Sequence, residues 1–270
     1  MANSFVKNPF FETCQSAFLP VKKQIYRIMN SRRNAIHLVL LCPPFSGSTV
    51  VKQLLATSPH LTAFSDEGQW LPEAKVILGV ENRWDPNLKI DWKSVRSIFN
   101  SYWSPFKPIR FEKSPPHVVR AEQLQREFDR CYFLISIRNP YAQIQGALRR
   151  NALPSAKTAA EFWLTVARAQ IYNVTHLNRS LLFTYEELTD ETETVCKRIL
   201  NFLPELGSIS PDSKFTAHNF TGNPIWGLKN LNHPKIRQLG KAQICEINDV
   251  LALDQGILNR FDYDLIQQKA

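Results

Sequence analysis

The stretch that decides the fold is His37-Leu-Val-Leu-Leu-Cys42, Pro43-Pro44, Phe45-Ser-Gly-Ser-Thr49 and Val50-Val-Lys-Gln-Leu-Leu-Ala56. An uninterrupted apolar run closed by two prolines reads as a strand buried on both faces. Val50, Val51, Leu54 and Leu55 then recur at helical spacing and stop near Ser58-Pro59, so a helix follows a turn built of small residues. In such a unit the backbone N–H groups of the turn point into one concavity. The helix N-terminus adds partial positive charge there, which suits a phosphate or sulfate. Gly47 permits close backbone approach, and Ser46, Ser48 and Thr49 add hydroxyl donors. The turn is not a Walker A loop, because Ser48 follows Gly47 and no Lys lies within it.

Working outward, Cys131-Tyr-Phe-Leu-Ile-Ser-Ile137 is a second strand candidate that runs into Arg138-Asn139-Pro140. Proline is at home in the first turn of a helix, so a helix is expected over 141–150. Residues 155–178 carry a long helical pattern. Ser180-Leu-Leu-Phe-Thr184 is a third strand followed by Tyr185-Glu-Glu-Leu188, and Thr189 with Thr192 or Glu193 offers a start for a helix over 190–203. Pro108-Ile-Arg-Phe-Glu112 is a fourth strand candidate. Strands alternating with helices predict an α/β, three-layer fold of the P-loop-NTPase-like kind, with a central, mostly parallel sheet flanked by helices. Ligands bind beyond the C-terminal strand ends in such folds, which gathers the turns at 43–49, 113–117, 138–141 and 185–188 on one edge. Residues 1–33 read as a peripheral extension and 34–270 as a single domain.

Composition narrows the function. The chain has 270 residues, 44% of them hydrophobic, and no low-complexity tract, so it is globular rather than disordered. No stretch approaches the apolar length of a membrane span. Residues 1–30 mix Lys7, Glu12, Lys22, Lys23 and Arg27 into short apolar runs, so no secretory signal is expected. Five scattered cysteines without metal-type spacing read as reduced thiols, which predicts a cytoplasmic protein without a metal. The net charge of +9 is uneven: residues 1–40 hold six Lys and Arg against one acid. A basic chain favours nucleic acid, an anionic membrane or a phosphorylated small molecule, and no nucleic-acid motif is present.

The chain resembles the PAPS-dependent sulfotransferases (PAPS is 3′-phosphoadenosine 5′-phosphosulfate), nearest to their bacterial and tyrosylprotein-type branches. Pro44-Phe-Ser-Gly-Ser-Thr49 is similar to the family loop that grips the 5′-phosphosulfate. Ile135-Ser-Ile-Arg-Asn-Pro140 is similar to the segment whose Arg, here Arg138, binds the 3′-phosphate. Phe183-Thr-Tyr-Glu-Glu-Leu188 is similar to a third signature, and the three stand in family order. The physics supports the second signature independently, since a planar guanidinium donates two parallel hydrogen bonds to a phosphate. Trp226-Gly-Leu-Lys229 and Arg260-Phe-Asp-Tyr263 are loosely similar to the C-terminal region, where Trp226 and Lys229 would close over the adenine and 3′-phosphate. Tyr185 would sit near the donor or pack in the core.

Two departures stand out. Family members often carry Lys or Arg where this chain has Phe45, and Ser where it has Gly146. Phe111-Glu-Lys-Ser-Pro115 resembles a family segment whose Lys, here Lys113, faces the sulfuryl group and stabilises charge on the leaving phosphate. A base must take the acceptor's proton. Glu67 is the preferred candidate, Asp66 its rival and His117 the third. The resemblance implies sulfuryl transfer to a hydroxyl or amine of a small-molecule, glycan, lipid or peptide acceptor. It implies 3′,5′-ADP as product and a monomer or homodimer. A P-loop-type nucleotide kinase, or a non-catalytic binding protein of the same fold, is the alternative.

Overall fold

Strand β1 (Ile36–Leu41) is buried at every position. The computed structural model describes residues 9–32, 34–216 and 224–267. Strands β2 (Leu61–Ala63), β3 (Ile109–Glu112), β4 (Cys131–Ile137) and β5 (Ser180–Thr184) complete a five-stranded sheet in the order β2-β3-β1-β4-β5. Every neighbouring pair is parallel; Leu38, for example, stands opposite Phe111 on one side and Tyr132 on the other. The chain passes from β1 to the edge strand β2, returns to β3 beside β1, and then crosses to β4 and β5 on the other side. β1 is thus the switch point of the sheet, where a crevice opens beyond the strand ends.

Helices cover both faces: α1 (Pro9–Ser31), α2 (Ser48–Leu55), α3 (Lys75–Leu78), α4 (Trp92–Tyr102), α5 (Ala121–Glu127), α6 (Pro140–Arg149), α7 (Ala156–His176), α8 (Tyr185–Asp190), α9 (Thr192–Phe202), α10 (Asn232–Ile236), α11 (Lys241–Leu251) and α12 (Gln255–Arg260). The alternation of side chains along β1 divides the core. Ile36, Leu38 and Leu40 pack with Leu54 of α2 and Ile199 of α9. Val39 and Leu41 pack with Phe99 and Trp103 beside α4, Leu124 of α5 and Val166 of α7. A third cluster joins Tyr141 of α6 and Trp163 of α7 to Ile247, Leu251 and Leu258 of the C-terminal helices. A small antiparallel hairpin, β6 (Lys214–Thr216) with β7 (Pro224–Trp226), precedes α10. Among the described residues no helix is long and apolar enough to cross a membrane.

Two local details differ from the sequence reading. The helix expected over 190–203 runs Thr192–Phe202 with Glu191 rather than Thr189 at its N-cap, and a separate short helix, α8, precedes it: Thr184 Oγ1 accepts from Glu187 N at 3.0 Å while Glu187 Oε2 accepts from Thr184 N at 2.7 Å. The expected N-terminal extension is helical, and its last turn is tied in. Buried Asn30 donates through Nδ2 to the carbonyls of Asn100 and Trp103, and its Oδ1 accepts from Arg110 Nη2 at 2.8 Å.

The crevice at the switch point is held by one amide. Where β1 and β4 part, Gln170 of α7 donates through Nε2 to Leu41 O at 2.7 Å and to Ser136 O at 3.0 Å. Gln170 is fully buried, so these carbonyls have no water to turn to. Gln170→Leu leaves both unpaired and is expected to cost about 2–4 kcal/mol of stability, measured by urea unfolding. A loss below about 0.5 kcal/mol would show that the strand ends are satisfied otherwise.

Candidate active site

The turns that follow β1, β3, β4 and β5 all line one cleft of about 930 Å³. Its floor is the turn after β1. Phe45 and Gly47 both adopt left-handed backbone, at φ 65° and 93°. Gly47 is the N-cap of α2 and no side chain caps that helix, so first-turn N–H groups are left to a ligand. Ser48 and Thr49 line the cleft. Ser46 does not: it is fully buried, and its hydroxyl donates to the Pro43 carbonyl and lies 2.9 Å from the Cys42 thiol. The hydroxyl expected to meet a ligand instead braces the turn from inside.

Position 47 must be glycine for a second reason. A Cβ there would stand 2.6 Å from Cδ2 of Tyr185. The Tyr185 ring lies over Gly47 and also stacks on Arg138, whose guanidinium carbon is 3.8 Å from the ring centroid. The Tyr185 hydroxyl donates to Lys229 O at 3.0 Å and accepts from Leu231 N at 3.2 Å. Lys229 thus reaches the site through its backbone, and its side chain is exposed. The Trp226 side chain lies outside the described residues.

Arg138 follows β4 and is buried. Its Nε donates to Asn232 Oδ1 at 2.7 Å and its Nη1 to Phe45 O at 3.2 Å. Nη2 is buried without a partner. Burial pushes the guanidinium below its usual range, opposed by Tyr185 and Glu186. Glu186 builds the support: it accepts from Asn139 N at 3.0 Å, from Asn232 Nδ2 and, at 2.7 Å, from the Tyr263 hydroxyl. The pair Tyr185-Glu186 therefore contributes a ring against the guanidinium and a carboxylate behind it.

The sequence reading missed Lys235. It sits on α10, is buried, lines the cleft, and its Nζ has no hydrogen-bond partner. Burial, with Arg138 and Arg149 nearby, lowers its pKa from 10.5 to about 7. It also connects the two departures noted above. A Cβ on Gly146 would stand 3.0 Å from Phe45 Cβ and 3.3 Å from Lys235 Nζ. Gly146 itself does not line the cleft; its missing side chain is the space beside which Phe45 and Lys235 lie. No motif marks Lys235 in the sequence, since its one-turn helix has no chemistry of its own.

On the β3 side, Lys113 is buried and lines the cleft. Its Nζ lies 2.9 Å from Glu67 Oε1 and donates to Ser48 Oγ at 3.2 Å, which engages two of the three donors of an ammonium. Glu67 also lines the cleft and accepts from Gln69 Nε2. The turn carrying Glu67 is fixed from behind: Glu112 Oε2 accepts from Gly68 N at 3.2 Å and Ser114 Oγ from Gln69 N at 3.0 Å. The other two base candidates stand elsewhere. Asp66 is exposed, outside the lining, and accepts from Glu67 N at 2.8 Å in a local turn. His117 is buried behind the cleft, with Nε2 3.2 Å from Glu112 Oε1 and its ring 5.8 Å from that of Trp92.

Solved sulfotransferases share this architecture. One from Mycobacterium avium superposes with a TM-score of 0.58 at 12% identity, over 93% of this chain and 83% of its own. One from Alicyclobacillus acidocaldarius gives 0.51 at 12% identity, over 85% and 97%. The sulfotransferase domain of the Synechococcus PCC 7002 olefin synthase gives 0.50 at 19% identity, over 86% and 96%. No family model and no curated protein matches the sequence. At these identities the likeness is one of fold, and the chain has the sulfotransferase fold.

An unpaired buried ammonium is costly to the folded protein. Lys235 titrates near 7 when folded against an ordinary 10.5. Its penalty is therefore full below pH 7 and fades as pH rises toward 10.5, because the unfolded chain then also releases the proton. Lys235→Met is expected to be more stable than wild type at pH 6.5 by about 1–4 kcal/mol, with the gap shrinking by pH 9.5 in chemical unfolding. Equal stability at both pH values would mean that the ammonium is solvated.

Proposed function

We propose that this sulfotransferase-fold chain moves a sulfuryl group from PAPS to an acceptor hydroxyl, leaving 3′,5′-ADP. One observation carries the reading: two buried cationic groups without partners, Arg138 Nη2 and Lys235 Nζ, belong to the cleft whose floor is the uncapped N-terminus of α2. Buried polar groups are ordinarily satisfied, so an unpaired pair of cations in a cleft argues for an anion as its natural occupant.

The residues fit such a donor at both ends. The turn at 45–49 would hold the 5′ phosphosulfate through its backbone N–H groups, and Arg138 with Lys235 would hold the 3′-phosphate. PAPS supplies an activated sulfuryl group when bound. Glu67 would take the acceptor's proton as the sulfuryl group passes to the acceptor oxygen and 3′,5′-ADP leaves with the bridging oxygen. Lys113, beside Ser48, stabilises the negative charge left on that oxygen. The Lys113–Glu67 contact of 2.9 Å fixes the proposed base and cation relative to each other. Lys113 and Lys235 together restore the positive charge absent at Phe45, so a non-basic residue there is compatible with activity. The phenyl group of Phe45 and the missing side chain of Gly146 are then complementary features of one site.

Calorimetry should show 3′,5′-ADP binding more tightly than ATP, and Arg138→Ala should weaken 3′,5′-ADP by about 2–4 kcal/mol in a variant that keeps its circular dichroism. A preference for ATP would favour the kinase reading. Glu67→Gln should lower kcat on an accepted substrate by about 10²–10⁴-fold with 3′,5′-ADP affinity kept. Wild-type turnover in that variant would remove Glu67 as the base.

A further inference from the structure

The cleft has more positive charge than a nucleotide donor uses, and the excess lies beside an aromatic wall. Arg83, Lys113, Arg138, Arg150 and Lys235 all line it, whereas Glu67 is the one carboxylate among the lining residues and is already paired with Lys113 at 2.9 Å. In the reading above, Arg138, Lys235 and Lys113 face the donor. Arg83 is left over. Its Nη1 donates to Val80 O at 3.3 Å and its guanidinium carbon lies 5.8 Å from the Trp70 ring centroid. Among the described residues no carboxylate pairs with it.

Around Arg83 the lining turns apolar and flat. Trp84 meets Phe162 of α7 edge-to-face at 4.9 Å, and Trp70, Leu153 and Pro115 border the same space. Trp70 is 38% exposed although large and apolar, a surface suited to a flat ligand. A guanidinium at the edge of an aromatic wall, with no acid to neutralise it, selects an anion with an apolar body. It disfavours a cation, which would meet like charge in a partly desolvated cleft.

Resting on the sulfotransferase reading, we infer that the acceptor is an anionic hydroxyl compound. It has a flat apolar body held by Trp70, Trp84 and Phe162, and a carboxylate or similar group held by Arg83. The fork of Arg83 would take the acceptor's anionic group bidentately, which orients the far hydroxyl toward Glu67. An alkyl amine, charged at neutral pH, is thereby excluded from the class.

The test uses the full chain saturated with 3′,5′-ADP and three ligands of one shape: phloretate, its primary amide and tyramine. Calorimetry on wild type should show phloretate binding at least about tenfold more tightly than the amide, a difference of about 1.4 kcal/mol, and tyramine more weakly than either. Arg83→Gln should bring phloretate to within about threefold of the amide, and Arg83→Lys should keep part of the preference. The thermal midpoint and 3′,5′-ADP affinity serve as fold and donor controls. Equal or tighter binding of the amide or tyramine overturns the inference. So does an unchanged preference in Arg83→Gln, or failure of all three ligands while 3′,5′-ADP binds. Failure of 3′,5′-ADP itself sinks the donor reading separately. The three ligands titrated onto the nucleotide-free chain then decide the acceptor class by the same criteria.

Discussion

The Tyr185 ring lies between Gly47 and Arg138, and the arrangement of the site depends on that contact. It joins three segments far apart in sequence. The ring occupies the space a side chain at position 47 would need, and it faces the Arg138 guanidinium at 3.8 Å. Its hydroxyl engages the backbone of Lys229 and Leu231. A cation over a ring in partly desolvated surroundings contributes about 2 kcal/mol. The geometric effect is larger than that figure suggests. The turn after β1, the turn after β4 and the loop before α10 cannot shift independently while the ring is in place.

That rigidity has an electrostatic cost, and its distribution is informative. Arg138 is supported on one side by Asn232, Phe45 and the Glu186 network and left unpaired at Nη2. Lys235 is left unpaired altogether. Lys113 and Glu67, by contrast, neutralise each other. Two cationic groups in the cleft are thus held unsatisfied, while the Lys113–Glu67 pair is internally balanced. Preorganised sites store strain of this electrostatic kind and relieve it on binding.

Four of the five sheet strands were legible because each is a short apolar run closed by Pro, Arg-Asn-Pro or a polar cap; β2, Leu61-Thr-Ala63, is too short to carry a periodic signal. The helix over 156–176 was equally plain. The short helix α8 was not read because it is less than two turns long and its cap, Thr184, is also the last residue of β5. Within the site, Gly47 and Arg138 sit at strand ends, where topology alone gathers them. Lys235 could not be found this way: it lies ninety-seven residues beyond Arg138 on a helix of one turn, and only the packing of Gly146 against Phe45 brings it close. Ser46 illustrates the opposite case. Its residue type suggested a ligand contact, and the carbonyl of Pro43 claimed the hydroxyl first.

Helix α7 touches several parts of this arrangement. Gln170 sets the gap between β1 and β4, Trp163 Nε1 donates to Arg138 O at 3.0 Å, and Phe162 and Ala159 face the cleft. One helix therefore sets the spacing of the strand ends on its buried side and supplies part of the cleft wall on another. Under the proposed function, drift at Phe162 would reshape the acceptor wall while Gln170, two turns away, would keep the donor turns in place. Such a division lets a lineage explore new acceptors without passing through variants that have lost the donor.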